Sequence, residues 1–91
     1  MKWSEGDYCE IYNDKDFPIL NGLKGRIIGI EALGEFGGKV HIPAVSTFNG
    51  RTFYNVVAET YGPPMSDTRK TRAWIPGQRH RVLATAIRPI E

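Results

Sequence analysis

Residues 39–60 read Lys39-Val40-His41-Ile42-Pro43-Ala44-Val45-Ser46-Thr47-Phe48-Asn49-Gly50-Arg51-Thr52-Phe53-Tyr54-Asn55-Val56-Val57-Ala58-Glu59-Thr60. Two runs rich in β-branched and aromatic residues flank Asn49-Gly50. That dipeptide is a strong hairpin signal, because both positions accept the positive φ of a tight type I′ turn. The pattern predicts one strand from Lys39 to Thr47 and the next from Thr52 to Thr60. Pro43 has no N–H to give a ladder, so the first of these is an edge strand or is bulged there.

The same rhythm extends in both directions. Gly25 to about Ala32 reads as an earlier strand carrying Ile27, Ile28 and Ile30, with Gly29 marking a bulge or a close backbone approach. Residues 33–38, with three glycines around Glu35 and Phe36, join it to the Lys39 strand as a hairpin loop. Nearer the N-terminus, Asp7 to Tyr12 forms a first strand with Cys9 and Ile11 facing inward. The polar loop 13–16 ends it, Phe17-Pro18-Ile19-Leu20 packs irregularly beneath that loop, and Asn21-Gly22 turns the chain. Beyond residue 60, the polar stretch YGPPMSDTRKT (61–71) reads as a mobile loop. Arg72 to Ile75 is a short strand, Pro76-Gly77 a turn and Gln78 to Arg81 a single 3₁₀ turn. Arg81 to Ile90 is a last strand, or a short helical turn at 83–86; the residues leave both open. Short strands separated by turn signals predict an all-β domain, a small five- or six-stranded barrel with one 3₁₀ turn near the C-terminus. Its core is expected among Cys9, Ile11, Ile27, Ile30, Val40, Ile42, Phe53, Val57, Ile75, Val82 and Ile87.

Ninety-one residues make one domain, 1–91, with a small core. At 41% apolar and 24% charged the composition is that of a globular protein, which excludes wholesale disorder. The single cysteine, Cys9, excludes an internal disulfide and suits a reducing compartment. The chain shows no apolar run long enough for a membrane span and no signal-peptide pattern at its start, so a cytoplasmic protein without a membrane partner is expected.

Net charge is +2, but it is unevenly placed. Residues 1–45 carry five Lys/Arg against seven Asp/Glu, and residues 46–91 carry seven against three. Between Thr68 and Ile90 there are six cations, five of them Arg, and no carboxylate. Guanidinium groups suit phosphate and carboxylate forks. Arg69, Lys70, Arg72, Arg79 and Arg81, with Trp74 among them as a stacking surface, therefore form a candidate nucleic-acid face. The plainer alternatives are that the acidic N-terminal half and the basic C-terminal half meet and neutralise each other, and that Trp74 is core in so small a barrel, with the arginines as solubilising surface. A second candidate surface, for a protein partner, consists of Asp14, Asp16, Phe36, Tyr61 and Met65 in the loops.

Catalytic and metal signals are weak. His41 and His80 with one Cys show no metal-ligand spacing. His80 lies between Arg79 and Arg81, whose charge disfavours its protonation. Cys9 has no base placed near it by the sequence. Residues 13–16 lack the later Gly and Glu of a calcium loop, and the glycines at 34, 37 and 38 lack the Lys-Ser/Thr pair of a phosphate loop. No cofactor and no enzymatic activity are expected.

Trp3-Ser4-Glu5-Gly6-Asp7-Tyr8-Cys9-Glu10-Ile11 resembles the opening of small Src-homology-3-like and KOW-like barrels, where a Gly-Asp pair begins the first strand. Residues 21–30, with Gly22, Gly25 and Gly29 spaced among aliphatics, resemble their second strand; Trp74-Ile75-Pro76 and Ile87-Arg88-Pro89-Ile90 resemble their closing segments. Short phage and prophage accessory proteins share this outline. The resemblance implies the barrel fold and a binding role, with nucleic acid or a nucleoprotein as partner, or a host protein met through the loops. The paired tryptophans of proline-motif binders are absent, as is the Val-Gln-Ile-Tyr segment of the small trimethoprim-resistant reductases that share a barrel of this size. A small oligomeric barrel enzyme is the remaining alternative. The chain is expected as a monomer or homodimer.

Overall fold

The structure, a computed structural model, describes residues 3–66 and 69–90; the side chains at 66, 69 and 70 lie outside that description. The described chain is all-β, with ten short strands and two single 3₁₀ turns. The strands are β1 (Tyr8–Ile11), β2 (Lys24–Ile27), β3 (Ile30–Leu33), β4 (Lys39–Ile42), β5 (Val45–Phe48), β6 (Arg51–Ala58), β7 (Pro64–Ser66), β8 (Arg69–Arg72), β9 (Arg79–Leu83) and β10 (Ile87–Pro89). Six of them form one antiparallel sheet in the order β10-β1-β2-β6-β5, with β9 on the other edge of β6. Among the described residues β9 and β10 do not pair, so the sheet stays open.

Strand β6 is the spine. The Asn49-Gly50 turn has positive φ at both residues (51° and 74°), as the hairpin reading requires, and it returns β5 onto β6 with Phe48 opposite Arg51. Further along, the same edge of β6 passes from β5 to β2. The handover falls at Asn55, whose N–H donates to the Ala44 carbonyl (2.9 Å) and whose carbonyl accepts from Ile28 N–H (3.2 Å). Its side-chain amide donates to the Ile28 carbonyl at 2.7 Å. Among the described residues Asn55 is the one buried polar residue, and its amide is hydrogen-bonded there. Gly25 is required where β2 lies against β6, because a Cβ there would collide with the Val57 carbonyl.

Two long predicted strands are each broken in two. The Gly25–Ala32 run ends as β2 at Ile27, because Gly29 N–H leaves the ladder and donates to the Glu5 carboxylate at 3.0 Å. The Lys39–Thr47 run ends at Ile42, where Pro43 removes the next donor. The halves freed on either side, β3 and β4, pair only with each other and form a separate two-stranded hairpin. Within and just beyond the stretch 61–71 expected as a loop, Pro64–Ser66 pairs with Arg69–Arg72 as β7–β8. The expected strand at Arg72–Ile75 is absent; β8 ends at Arg72 and the chain bends through Ala73. Residues 79–81 belong to β9 rather than to a 3₁₀ turn. The C-terminal 3₁₀ turn lies at Ala84–Ala86, which resolves the ambiguity at 83–86, and a further one, Pro18–Leu20, fills the segment expected to be irregular.

The core contains the predicted Cys9, Ile11, Ile27, Val82 and Ile87. It also contains Leu20, Leu23, Val56, Ala58, Trp74 and Ala86. Val40 (48% exposed) and Ile75 (53%) are corrections: the first lies on the detached hairpin and the second follows the Trp74 bend. Ile30 and Ile42 are half-buried at the base of that hairpin. Phe53 and Val57 are half-buried because β6 turns the opposite parity, Val56 and Ala58, inward. No helix of the described residues is long and apolar enough to cross a membrane.

Candidate binding cleft

The two sets of candidate residues meet in part. On β9, Arg79, Arg81 and Leu83 share the outward face, opposite Val57, Asn55 and Phe53 of β6. The row through Val57 continues to Arg26 of β2 and Tyr8 of β1. Arg26 is tied down: its guanidinium lies 4.4 Å from the Tyr8 ring centroid, bonds the Tyr8 hydroxyl and sits 3.4 Å from the Glu59 carboxylate. Arg88 pairs with Glu10 at 3.0 Å and covers the Tyr12 ring, so the two ends of the chain do neutralise each other at that point. Arg79 and Arg81 have no ion pair among the described residues. Arg81 instead lies over the Phe53 ring, 4.7 Å from its centroid.

Other members of the proposed basic face do not serve as expected. Trp74 is a correction: it is 4% exposed and clamped over Gly62, where a Cβ would stand 2.6 Å from its indole. A buried ring offers no stacking surface. Arg72 is exposed but donates to the Gly62 carbonyl at 3.3 Å, beside the same clamp. Arg69 and Lys70 fall outside the described side chains.

Arg81 helps to line a cleft of about 570 Å³. The loop 13–17 lines it too, and so does the tip of the β5–β6 hairpin, with Phe48 and Arg51. Phe17 and Phe48 are exposed in its lining, and Phe53 lies half-buried beneath Arg81. Asp14 holds the loop in shape. Its Oδ1 accepts from the N–H groups of Asp16 (3.1 Å) and Phe17 (2.9 Å), while its own N–H donates to the Asn21 side chain (2.8 Å). This is the short-range bonding that makes Asp a loop-former. Asp16 is exposed on the cleft wall. The cleft therefore combines aromatic rings with charges of both signs: Lys15, Arg51 and Arg81 beside Asp14 and Asp16. Phe36, Tyr61 and Met65 are exposed, but none of them lines the cleft.

Phe17, Phe48, Phe53 and Arg51 were not singled out by the sequence reading. The signal for two of them was present: pairing across the Asn49-Gly50 turn sets Phe48 against Arg51 once the hairpin is accepted.

The titratable groups of the interior are suited to structure rather than chemistry. Burial, with help from Asp7, pushes the Cys9 thiol up to about 12, so it remains protonated and unreactive. Burial also lowers the His80 pKa, opposed by Asp14; desolvation, rather than the neighbouring arginines, is the cause. His80 Nε2 and Trp74 Nε1 are both buried without a partner among the described residues. No group of three or more His, Cys, Asp or Glu among the described residues is placed to hold a metal ion. A scan of the chain against protein-family models, a search of curated proteins and a search of solved structures found no match.

Proposed function

We propose that this chain is a non-enzymatic protein-binding module that takes an extended segment of a partner protein in the cleft between loop 13–17, the β5–β6 hairpin and β9. One observation carries the reading: three phenylalanines share a cleft with charges of both signs, Lys15, Arg51 and Arg81 beside Asp14 and Asp16. A polyanion entering there meets two carboxylates as well as the cations. A peptide with an apolar anchor between an acidic and a basic residue can pair with both signs and buries the rings. The strand order β10-β1-β2-β6-β9, with a 3₁₀ turn between β9 and β10, supports a Src-homology-3-like reading of the fold. The aromatic floor here is phenylalanine rather than paired tryptophan, so the segment bound need not be proline-rich.

The test is selection of linear peptides from a random displayed library on the immobilised protein. Wild-type protein should enrich peptides with an aromatic or aliphatic anchor and an adjacent carboxylate, and Arg81→Glu should weaken them at least about tenfold, roughly one lost charge-assisted contact. An empty selection, or peptides indifferent to Arg81→Glu, would sink the reading.

A second reading, nucleic acid on the outward face of β9, is favoured by the absence of ion pairs at Arg79 and Arg81 among the described residues. It requires fluorescence anisotropy of labelled DNA and RNA to rise at about 50 mM salt and collapse by about 200 mM. Binding that ignores salt, or that survives reversal of both arginines, rejects it.

A further inference from the structure

The β3–β4 hairpin leaves the main sheet and ends in a closed, projecting tip. Gly34 N–H donates to the Gly38 carbonyl (2.6 Å), Gly37 N–H donates to the Gly34 carbonyl (3.1 Å), and Gly37 has φ +81°. That turn presents Glu35 and Phe36 at its apex. A Cβ built at Gly37 or Gly38 meets nothing within 4 Å, so the tip stands clear of the rest of the described chain. Phe36 is 99% exposed and Leu33, at the end of β3, is 80% exposed. Lys39 follows at the start of β4. An isolated two-stranded hairpin is marginal in water, and a phenylalanine left fully in solvent gains nothing from its position.

The cleft on the opposite account lacks what this tip carries. It is lined by three phenylalanines, by Arg51 and Arg81 without an ion pair among the described residues, and by the loop residues Asp14, Lys15 and the exposed Asp16. The tip has one phenylalanine, a glutamate beside it and a lysine three residues on. We infer that the Glu35-Phe36 tip of one copy docks in the cleft of a second copy, with Phe36 against Phe17, Phe48 and Phe53, Glu35 toward Arg51 and Arg81, and Lys39 toward Asp16. The inference rests on the reading of the cleft as a site for an apolar segment. Because tip and cleft are different surfaces, the contact is head-to-tail, and it builds rings or short filaments rather than a closed twofold dimer. It buries one hairpin end, below the area of a stable complex, so the association is weak and concentration-dependent.

Sedimentation equilibrium of the full chain between roughly 10 µM and 1 mM, the range in which so small an interface saturates, tests it. Wild-type mass should rise with concentration. Phe36→Asp, a change at a solvent-exposed position, and Arg81→Glu should each weaken association at least about tenfold. An equimolar mixture of the two variants keeps one intact tip and one intact cleft, so it should form a discrete one-to-one dimer that grows no further. The double variant Glu35→Arg with Arg81→Glu should recover association. A wild type that stays monomeric, a Phe36→Asp variant that associates as the wild type does, or a mixture that stays monomeric overturns the proposal. The peptide selection repeated on Phe36→Asp separates the two ideas: peptides bound by a cleft that no tip enters leave the binding function standing and remove only the self-docking.

Discussion

Replacing Asn55 should separate two halves of the sheet, and the cost can be worked from its contacts. Its side chain is 5% exposed, and its amide gives one hydrogen bond, 2.7 Å, to the Ile28 carbonyl where β6 passes from β5 to β2. Asn55→Ala removes that bond, worth about 0.5–1.5 kcal/mol net, and leaves a carbonyl with one partner fewer in a dry site, for a total of about 2 kcal/mol. A domain of this length has about 5–14 kcal/mol in all, so the loss is a visible fraction. Asn55→Asp is the sharper test. At neutral pH it sets a carboxylate against the Ile28 carbonyl oxygen and buries a charge, so it should cost more than the alanine. Burial raises the folded-state pKa of that aspartic acid above its unfolded value of about 3.9. The folded state then holds the proton more tightly, so the contribution is present at low pH and is lost as pH rises through the raised value. The protonated acid can donate to the Ile28 carbonyl as the amide did. Urea unfolding followed by tryptophan fluorescence, with Trp74 as the buried reporter, should show the alanine midpoint lowered by about 1–2 M, taking a slope near 1–1.5 kcal/mol/M. The aspartate should lie below the alanine at pH 7 and close the gap toward pH 4. An alanine shift under about 0.3 M, or an aspartate that tracks the alanine at every pH, refutes the assignment of Asn55 as the joint.

Three further outcomes follow from the interior. Gly25→Ala should lose about 3 kcal/mol or more, because the added Cβ meets the Val57 carbonyl and one strand of the β2–β6 ladder must move; a midpoint within about 0.5 kcal/mol of wild type in urea would show that the backbone yields. Cys9, fully buried with its thiol at about 12, should resist a thiol reagent at pH 8 and react only as the chain unfolds; native labelling at the rate of a free thiol would place it at the surface. His80 has a lowered pKa, so its contribution is complete above the unfolded value of 6.5 and is lost as pH falls through the folded value. His80→Gln should therefore flatten the urea-midpoint profile in the interval between the unfolded value of 6.5 and the lower folded value, and an unchanged slope there would assign the acid sensitivity elsewhere.

The parts of this fold that were legible in the sequence are those fixed by a residue's own backbone chemistry. Asn49-Gly50 specified a turn because both residues accept positive φ, and the turn set the register of β5 on β6. Cys9 and Ile11 were inward by alternation. Misplaced features were those decided by competition between equivalent choices. In Phe53-Tyr54-Asn55-Val56-Val57-Ala58 either parity offers apolar residues, and what selects Val56 and Ala58 is the neighbour strands, not the hexapeptide. Gly29 and Pro43 were each recognised as irregular, but that both interruptions fall at the same level of the sheet, freeing β3 and β4 together, depends on their pairing. Trp74 could be read as core or as a stacking surface, and what holds it in the core is the missing side chain of Gly62, twelve residues away.

The candidate site was hardest to read for a related reason. Its residues come from loop 13–17, the hairpin at 48–53 and the strand end at 81–86, and no local pattern unites them. The sequence sorted them by charge, which divided Arg81 from Asp14 and Asp16 and assigned them to rival surfaces. The fold sorts them by adjacency at the 3₁₀ turns and the hairpin tip, and brings both signs of charge beside three phenylalanines. A cation excess spread along a chain therefore says little about a polyanion until the carboxylates brought beside it are known: Arg26 and Arg88 are already paired, Arg72 is bonded to backbone, and Arg81 shares its cleft with Asp14 and Asp16. Of the described cations assigned to a nucleic-acid face, Arg79 is left with neither a partner among the described residues nor a place in that cleft, so the strength of such a face turns on how far Arg79 and Arg81 act together, which the salt dependence of binding reads directly.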